Sequence, residues 1–172
     1  TTQAPGPDVR GTQSVNTTPG PVAYSNPDML NLELTNARTG ETFTLASFSG
    51  KVVYVEPMAT WCTNCRQQLG RVREVFQQMD ASQYVFVSIS VETNISAADL
   101  ATYADNQDFP WIFAVGTRDM LVELDSQFGS SALVPPSTPH FIINPDGTFS
   151  QLYTGFHEVP DMLSLLQQSA GV

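Results

Sequence analysis

Trp61-Cys62-Thr63-Asn64-Cys65 holds the only two cysteines of the chain and comes soon after an apolar run, Val52-Val53-Tyr54-Val55. Cysteines at i and i+3 lie on one face of a helix. They are within reach of a disulfide when the helix begins at the first of them. A thiol at that place faces unpaired N–H groups and the positive end of the helix dipole, which favour a thiolate. A strand, a tight turn and a CxxC opening a helix form a device for exchanging disulfides with another protein.

Two plainer readings fit less well. A structural disulfide usually closes a longer loop, because a short one constrains the unfolded chain little. A structural zinc site wants four ligands. There is no second cysteine pair, and His140 and His157 are not in an HxxxH array.

The pattern around the motif reads as alternating strands and helices. Leu30-Asn31-Leu32-Glu33-Leu34 alternates apolar and polar as a half-buried strand does. Thr42-Phe43-Thr44-Leu45 returns after the turn residues 36–40, so an opening hairpin is expected. Lys51 to Glu56 reads as a central strand, buried on both faces. Pro57 is expected to end its ladder, having no N–H to donate. From Cys62 to about Met79, apolar residues repeat at spacings of three and four: Cys62, Cys65, Leu69, Val72, Phe76 and Met79. Cys65 is thereby placed on the core face, and Cys62 at the tip where the helix meets solvent.

Further strands are expected at Tyr84–Val91, Trp111–Val115 and His140–Ile143, with a return strand at Thr148–Tyr153 after the hairpin turn Asn144-Pro145-Asp146-Gly147. Helices are expected at Ser96–Asn106, Arg118–Phe128 and Val159–Ser169. This order implies an α/β fold, a mixed central sheet with helices on both faces. Residues 1–27, rich in Thr, Pro and Gly, read as a flexible tether ahead of one domain, 28–172.

Composition excludes some functions. The chain of 172 residues carries a net charge of −10 and a single lysine, Lys51. Nucleic acid and an anionic membrane surface both call for a basic face. No apolar run is long enough to span a bilayer. The chain starts at Thr1 without a Met, and an upstream segment is expected to have been removed. A polar tether before a redox domain points to an extracytoplasmic protein anchored upstream.

Three segments together resemble the thioredoxin superfamily, in its extracytoplasmic branch typified by TlpA, ResA and CcmG. They are Ala59-Thr60-Trp61-Cys62-Thr63-Asn64-Cys65, Asp108-Phe109-Pro110, and Thr138-Pro139-His140-Phe141-Ile142-Ile143-Asn144-Pro145-Asp146-Gly147. The resemblance covers residues 28–170 and implies a thioredoxin-like fold with an N-terminal β-hairpin extension. It implies membrane-anchored thiol–disulfide exchange, often on apocytochrome c or copper-site cysteines, with a thiol-reducing membrane donor and no cofactor.

The resemblance also implies roles for particular residues. Cys62 attacks and Cys65 resolves. Glu56 matches the buried acid that relays a proton to or from the buried cysteine; desolvation there would raise its pKa. Pro139 matches the family's cis-proline, with Thr138 offering backbone hydrogen bonds to an extended substrate, and Trp61 lies on the same substrate-facing side. A solvated helix face is the reading of Arg66, Arg71 and Arg73, with stabilisation of a thiolate or steering of an acidic partner as the alternative for Arg66 beside Cys65. A copper(I) carrier using Cys62, Cys65 and His140, with Met58 nearby, is the alternative of another class. Sco-type copper proteins share the fold with more widely spaced cysteines. Thiol peroxidase is a third reading, better suited to a lone reactive cysteine.

Overall fold

A computed structural model describes residues 28–171. The expected tether, residues 1–27, lies outside the described residues.

The chain enters with a single helical turn, Asp28–Asn31 (α1), then a two-residue strand, Leu34–Thr35 (β1), paired antiparallel with Thr42–Phe43 (β2). The expected hairpin is therefore present but short, and its first strand begins later than its alternation indicates. Met29 and Leu30 are both fully buried. A strand would send two consecutive side chains to opposite faces, whereas a helical turn buries both.

A 3₁₀ turn, Leu45–Phe48, follows. Thr44 and Ser47 cap it reciprocally, each side chain accepting the other's backbone N–H.

The main sheet is built on Val52–Met58 (β3), buried at all seven positions. Tyr84–Ser90 (β4) runs parallel beside it, and Ile112–Val115 (β5) parallel beside β4. Phe141–Ile143 (β6) pairs antiparallel on the other side of β3, giving the order β5-β4-β3-β6. The helices are Thr63–Phe76 (α2), Ala97–Asn106 (α3), Arg118–Phe128 (α4) and Val159–Ala170 (α5). Ser96 and Thr117 cap α3 and α4, each hydroxyl accepting the N–H three residues on.

Alternation along β3 separates two cores. Val52, Tyr54 and Met58 pack with Cys62, Cys65, Leu69 and Val72, and with apolar residues of α3 and α5. Val53 and Val55 face the other way, onto Met29, Leu30 and the α4 residues Met120 and Leu124. The mixed sheet with helices on both faces is thus as expected.

Pro57 does not end the ladder. It is paired with Ile89, and Met58 with Ser90. The Val52 N–H and the Met58 carbonyl both bond on the β4 side. By alternation Pro57 therefore faces the β6 side, where its missing N–H costs β4 nothing. Pairing with β6 stops at Val55↔Phe141. Extending that register sets Glu56 opposite His140 and Pro57 opposite Pro139, two residues without an N–H.

The expected return strand, Thr148–Tyr153, is reduced to two isolated bridges, Ile143↔Phe149 and His140↔Tyr153. The register slips by one residue between them, as in a β-bulge. Ser150 sits at the slip, and its hydroxyl takes the Ile142 N–H at 2.8 Å.

Candidate redox site

β3 delivers the chain to the site, and a tight turn hands it to α2. Thr60 closes this turn with two bonds to Glu92: its N–H to Oε2 at 2.7 Å and its hydroxyl to Oε1 at 3.0 Å. Cys62 is the N-cap of α2, in an extended conformation, and its sulfur accepts the Cys65 N–H at 3.0 Å. A sulfur thus occupies the place that a Ser or Asp oxygen fills in an ordinary cap. The two cysteines form a disulfide, with Cα atoms 5.3 Å apart.

Cys65 is on the core face, as its place in the helical stripe requires, and is 0% exposed. Cys62 is not at an open tip; in the disulfide it is only 2% exposed, while Trp61 beside it is 61% exposed. The reason is the loop 134–139, which is held over the start of α2. Asn64 Nδ2 donates to the Pro136 carbonyl at 2.9 Å, and Cys65 Sγ lies 3.2 Å from the Pro135 carbonyl oxygen.

Thr138 and Pro139 are both buried in this loop. Thr138 has φ 48° and ψ 55°, the left-handed region, uncommon for a β-branched residue and costing on the order of 1–3 kcal/mol. Its backbone is fully engaged. The N–H donates to the Pro135 carbonyl at 2.8 Å, and the carbonyl accepts from His140 Nδ1 at 2.8 Å. Its buried hydroxyl has no partner. A peptide adding to the Thr138 backbone must exchange these internal bonds for its own.

Glu56 is 0% exposed on β3. Its place in the alternation puts it on the same face as Tyr54 and Met58, the face that packs against Cys62 and Cys65. The Tyr54 hydroxyl donates to Oε2 at 2.8 Å, and Oε1 has no partner. Burial pushes the carboxyl up to about 8 from 4.5, against the opposing pull of the Tyr54 hydrogen bond. Burial and the Glu56 charge push the Tyr54 phenol well above its ordinary range, so it remains a donor.

His140 is fully buried and stacks on Tyr54, ring centroids 5.6 Å apart. Its Nδ1 bonds a carbonyl and therefore carries the proton; its Nε2, 2.9 Å from His157 Nδ1, accepts. Burial lowers its pKa to about 4, partly offset by the Thr138 carbonyl, so it is neutral at neutral pH.

The structure does not assemble the alternative copper set Cys62, Cys65 and His140 into a metal centre. Among the described residues no cluster of three or more His, Cys, Asp or Glu could hold an ion. The second imidazole nitrogen of His140 is already bonded to His157, and Met58 lies wholly in the core.

The arginines of α2 have separate tasks. Arg71 lies over the Phe156 ring at 4.7 Å and pairs with Glu158 at 3.4 Å. Arg73 donates to the Gln107 carbonyl at 2.9 Å. Arg66 reaches toward Tyr103.

Reading of the sequence missed Tyr54, Gln68, Glu92 and His157 as parts of the site. Tyr54 carried a usable signal. A phenol two residues from an acid on one strand shares its face.

The model of the AhpC/TSA family matches residues 27–151. The chain belongs to the AhpC/TSA family. No curated protein matches it in sequence. Among solved structures it resembles a thiol:disulfide interchange protein of the thioredoxin family from Chlorobium tepidum, at 21% identity and a TM-score of 0.70, covering 81% of this chain and 93% of that one. It also resembles the exposed lipoprotein thioredoxin Etrx1 of Streptococcus pneumoniae (23% identity, TM-score 0.62, 80% and 98% covered). BsSco, a member of the Sco family of cytochrome c oxidase assembly proteins, is similar at 20% identity and a TM-score of 0.64, with 82% and 92% covered. At such identities the likeness establishes the thioredoxin fold. Family, fold and the closed Cys62–Cys65 pair make this protein a thiol–disulfide oxidoreductase.

Proposed function

We propose that the protein is an extracytoplasmic reductant of disulfides in other proteins. The observation that carries this is the asymmetry of the two sulfurs. Cys62 Sγ faces a backbone N–H, which favours a thiolate. Cys65 Sγ faces a carbonyl, which favours a thiol once the disulfide is reduced.

The cycle starts from the dithiol. The Cys62 thiolate attacks one sulfur of the substrate disulfide, forms a mixed disulfide and expels the other sulfur as a thiolate. The Cys65 thiol gives its proton to the Glu56 carboxylate. The Cys65 thiolate then attacks Cys62 Sγ, and the second substrate sulfur leaves. Two electrons have passed to the substrate, and the Cys62–Cys65 disulfide is closed. A dithiol donor in the membrane returns the electrons. Glu56 suits its part because an acid near 8 and a thiol of about 8.5 exchange a proton at little cost.

The exposed Trp61 forms the substrate-facing rim, and a substrate peptide reaches the buried Thr138 and Pro139, joined by a cis bond, by exchanging the internal bonds of the Thr138 backbone. The tether and an upstream anchor hold the domain at the outer face of a membrane. No helix among the described residues is long and apolar enough to cross one. An exposed lipoprotein among the structural neighbours supports that compartment. Apocytochrome c and copper-site cysteines are the proposed substrates.

The test is a Cys65→Ala variant expressed in the native host. It should accumulate mixed disulfides with extracytoplasmic proteins. Adducts confined to cytoplasmic proteins would refute the compartment, and no adducts at all would refute the activity.

A further inference from the structure

Glu56 offers its two carboxyl oxygens to different surroundings. Oε2 is held by Tyr54 at 2.8 Å, while Oε1 is buried without a partner. Tyr54 cannot swing away. Its ring is packed between Phe86, at 5.7 Å between centroids, and His140, at 5.6 Å. Beyond it lies Gln68 of α2, also fully buried, whose Oε1 is fixed by the His157 N–H at 3.1 Å.

We infer that Tyr54 is a positioning residue of the exchange reaction: it grips Glu56 through Oε2 and so leaves Oε1 as the atom that takes the proton from Cys65. The inference rests on the proton-accepting part proposed above for Glu56. The phenol stays protonated, so the hydroxyl always donates and always favours the carboxylate over the acid. The remaining groups around Glu56 do not substitute for it. Tyr103 of α3 is itself pushed up by burial, and feels Glu56, Glu92 and the nearby Arg66. His140, beside β6, is neutral and bonded to Thr138 and His157. Cys62 and Cys65 are the reacting pair. Tyr54 is thus the group that keeps a buried carboxyl ionisable near the pH at which a thiol ionises.

The proton balance is simple. The S–H bond of Cys65 breaks as an O–H bond forms at Glu56 Oε1. The electron pair left on sulfur makes the Cys62–Cys65 bond, and the substrate thiolate departs.

Tyr54→Phe deletes one oxygen and keeps the ring, so the stacking that holds the fold is retained. Two readouts are taken on it: the Glu56 carboxyl stretch in the infrared, assigned by its loss in Glu56→Gln, and the pH profile of mixed-disulfide resolution. Loss of a hydrogen bond to a charged group should raise the Glu56 midpoint by about one to two pH units. The resolution profile should move up with it, and should not move when Tyr54→Phe is added to Glu56→Gln. If the Glu56 midpoint stays put, Tyr54 does not position it, and the proposed function stands without this inference. If the midpoint moves and the resolution profile does not, Glu56 is not the proton acceptor, and both the inference and that part of the mechanism fall.

Discussion

The backbone N–H of Cys65 points at Cys62 Sγ from 3.0 Å, so one cysteine supports the charge of the other. The Pro135 carbonyl does the reverse for Cys65, facing its sulfur at 3.2 Å. One loop and one helical turn thereby give two chemically identical side chains different surroundings.

In the reduced protein Cys62 should ionise below the free value of about 8.5, and Cys65 should not. Iodoacetamide at neutral pH, followed by peptide mass mapping, should find Cys62 modified first. Both cysteines are covered in the disulfide, so the labelling is to be done after reduction. Equal labelling, or faster labelling of Cys65, contradicts the asymmetry.

Glu56 and His140 together shape stability against pH. Glu56 has a folded pKa of about 8 against 4.5 in the open chain. Its stabilising effect is complete below 4.5 and is lost as pH rises toward 8. His140 has a folded pKa of about 4 against 6.5. Its effect is complete above 6.5 and is lost as pH falls toward 4. The two slopes oppose each other where the windows overlap and nearly cancel there. Above pH 6.5 only the Glu56 slope remains, about 1.4 kcal/mol per pH unit. Denaturant melts should show stability falling by roughly 1.5 kcal/mol between pH 6.5 and 8, because the slope has halved by the folded pKa of Glu56. In Glu56→Gln that fall should vanish, and a rise between pH 4 and 6.5 should become visible. An unchanged profile would mean that Glu56 is solvated.

Arg38 should matter to stability and not to exchange. It donates through Nη1 and Nη2 to the carbonyls of Trp111 and Phe109, and through Nε to Asp105 at 2.7 Å. It thereby fixes the entry into β5, where Phe109, Trp111 and Phe113 stack. Arg38→Ala leaves those two carbonyls without their charged donor and should cost about 2–3 kcal/mol in a urea melt. Exchange rates at a permissive temperature should be unaltered.

A copper(I) titration with a competing chelator separates redox work from metal carriage. Binding should depend on Cys62 and Cys65 and be indifferent to His140→Ala, because both imidazole nitrogens are already bonded. A large loss of affinity in His140→Ala would favour the carrier reading.

Features set by local chemistry were legible in the sequence. The CxxC at a helix start, the core-facing Cys65 and the buried Glu56 all follow from periodicity or from the resemblance. Arg118–Phe128 is found as read. Features that depend on which neighbour lies across the sheet were not legible. Pro57 looked like a strand end because its missing N–H counts only on the β6 side. The strand read at Leu30–Leu34 gave way to α1 because Met29 and Leu30 enter the core together. The His140–His157 contact joins residues seventeen apart through a bulged return that no alternation announces. The cover over Cys62 comes from the distant loop 134–139, so a solvent-facing thiol was expected where the disulfide is buried.

The division of labour, Cys62 attacking and Cys65 resolving, is open to a direct measurement. Reduced Cys65→Ala and Cys62→Ala variants are each mixed with a protein disulfide substrate, and covalent adducts are followed by non-reducing mass analysis. A lasting one-to-one adduct through Cys62 is expected in Cys65→Ala, none in Cys62→Ala, and only a transient one in the parent protein. A stable adduct through Cys65 in Cys62→Ala, with none in Cys65→Ala, would contradict it.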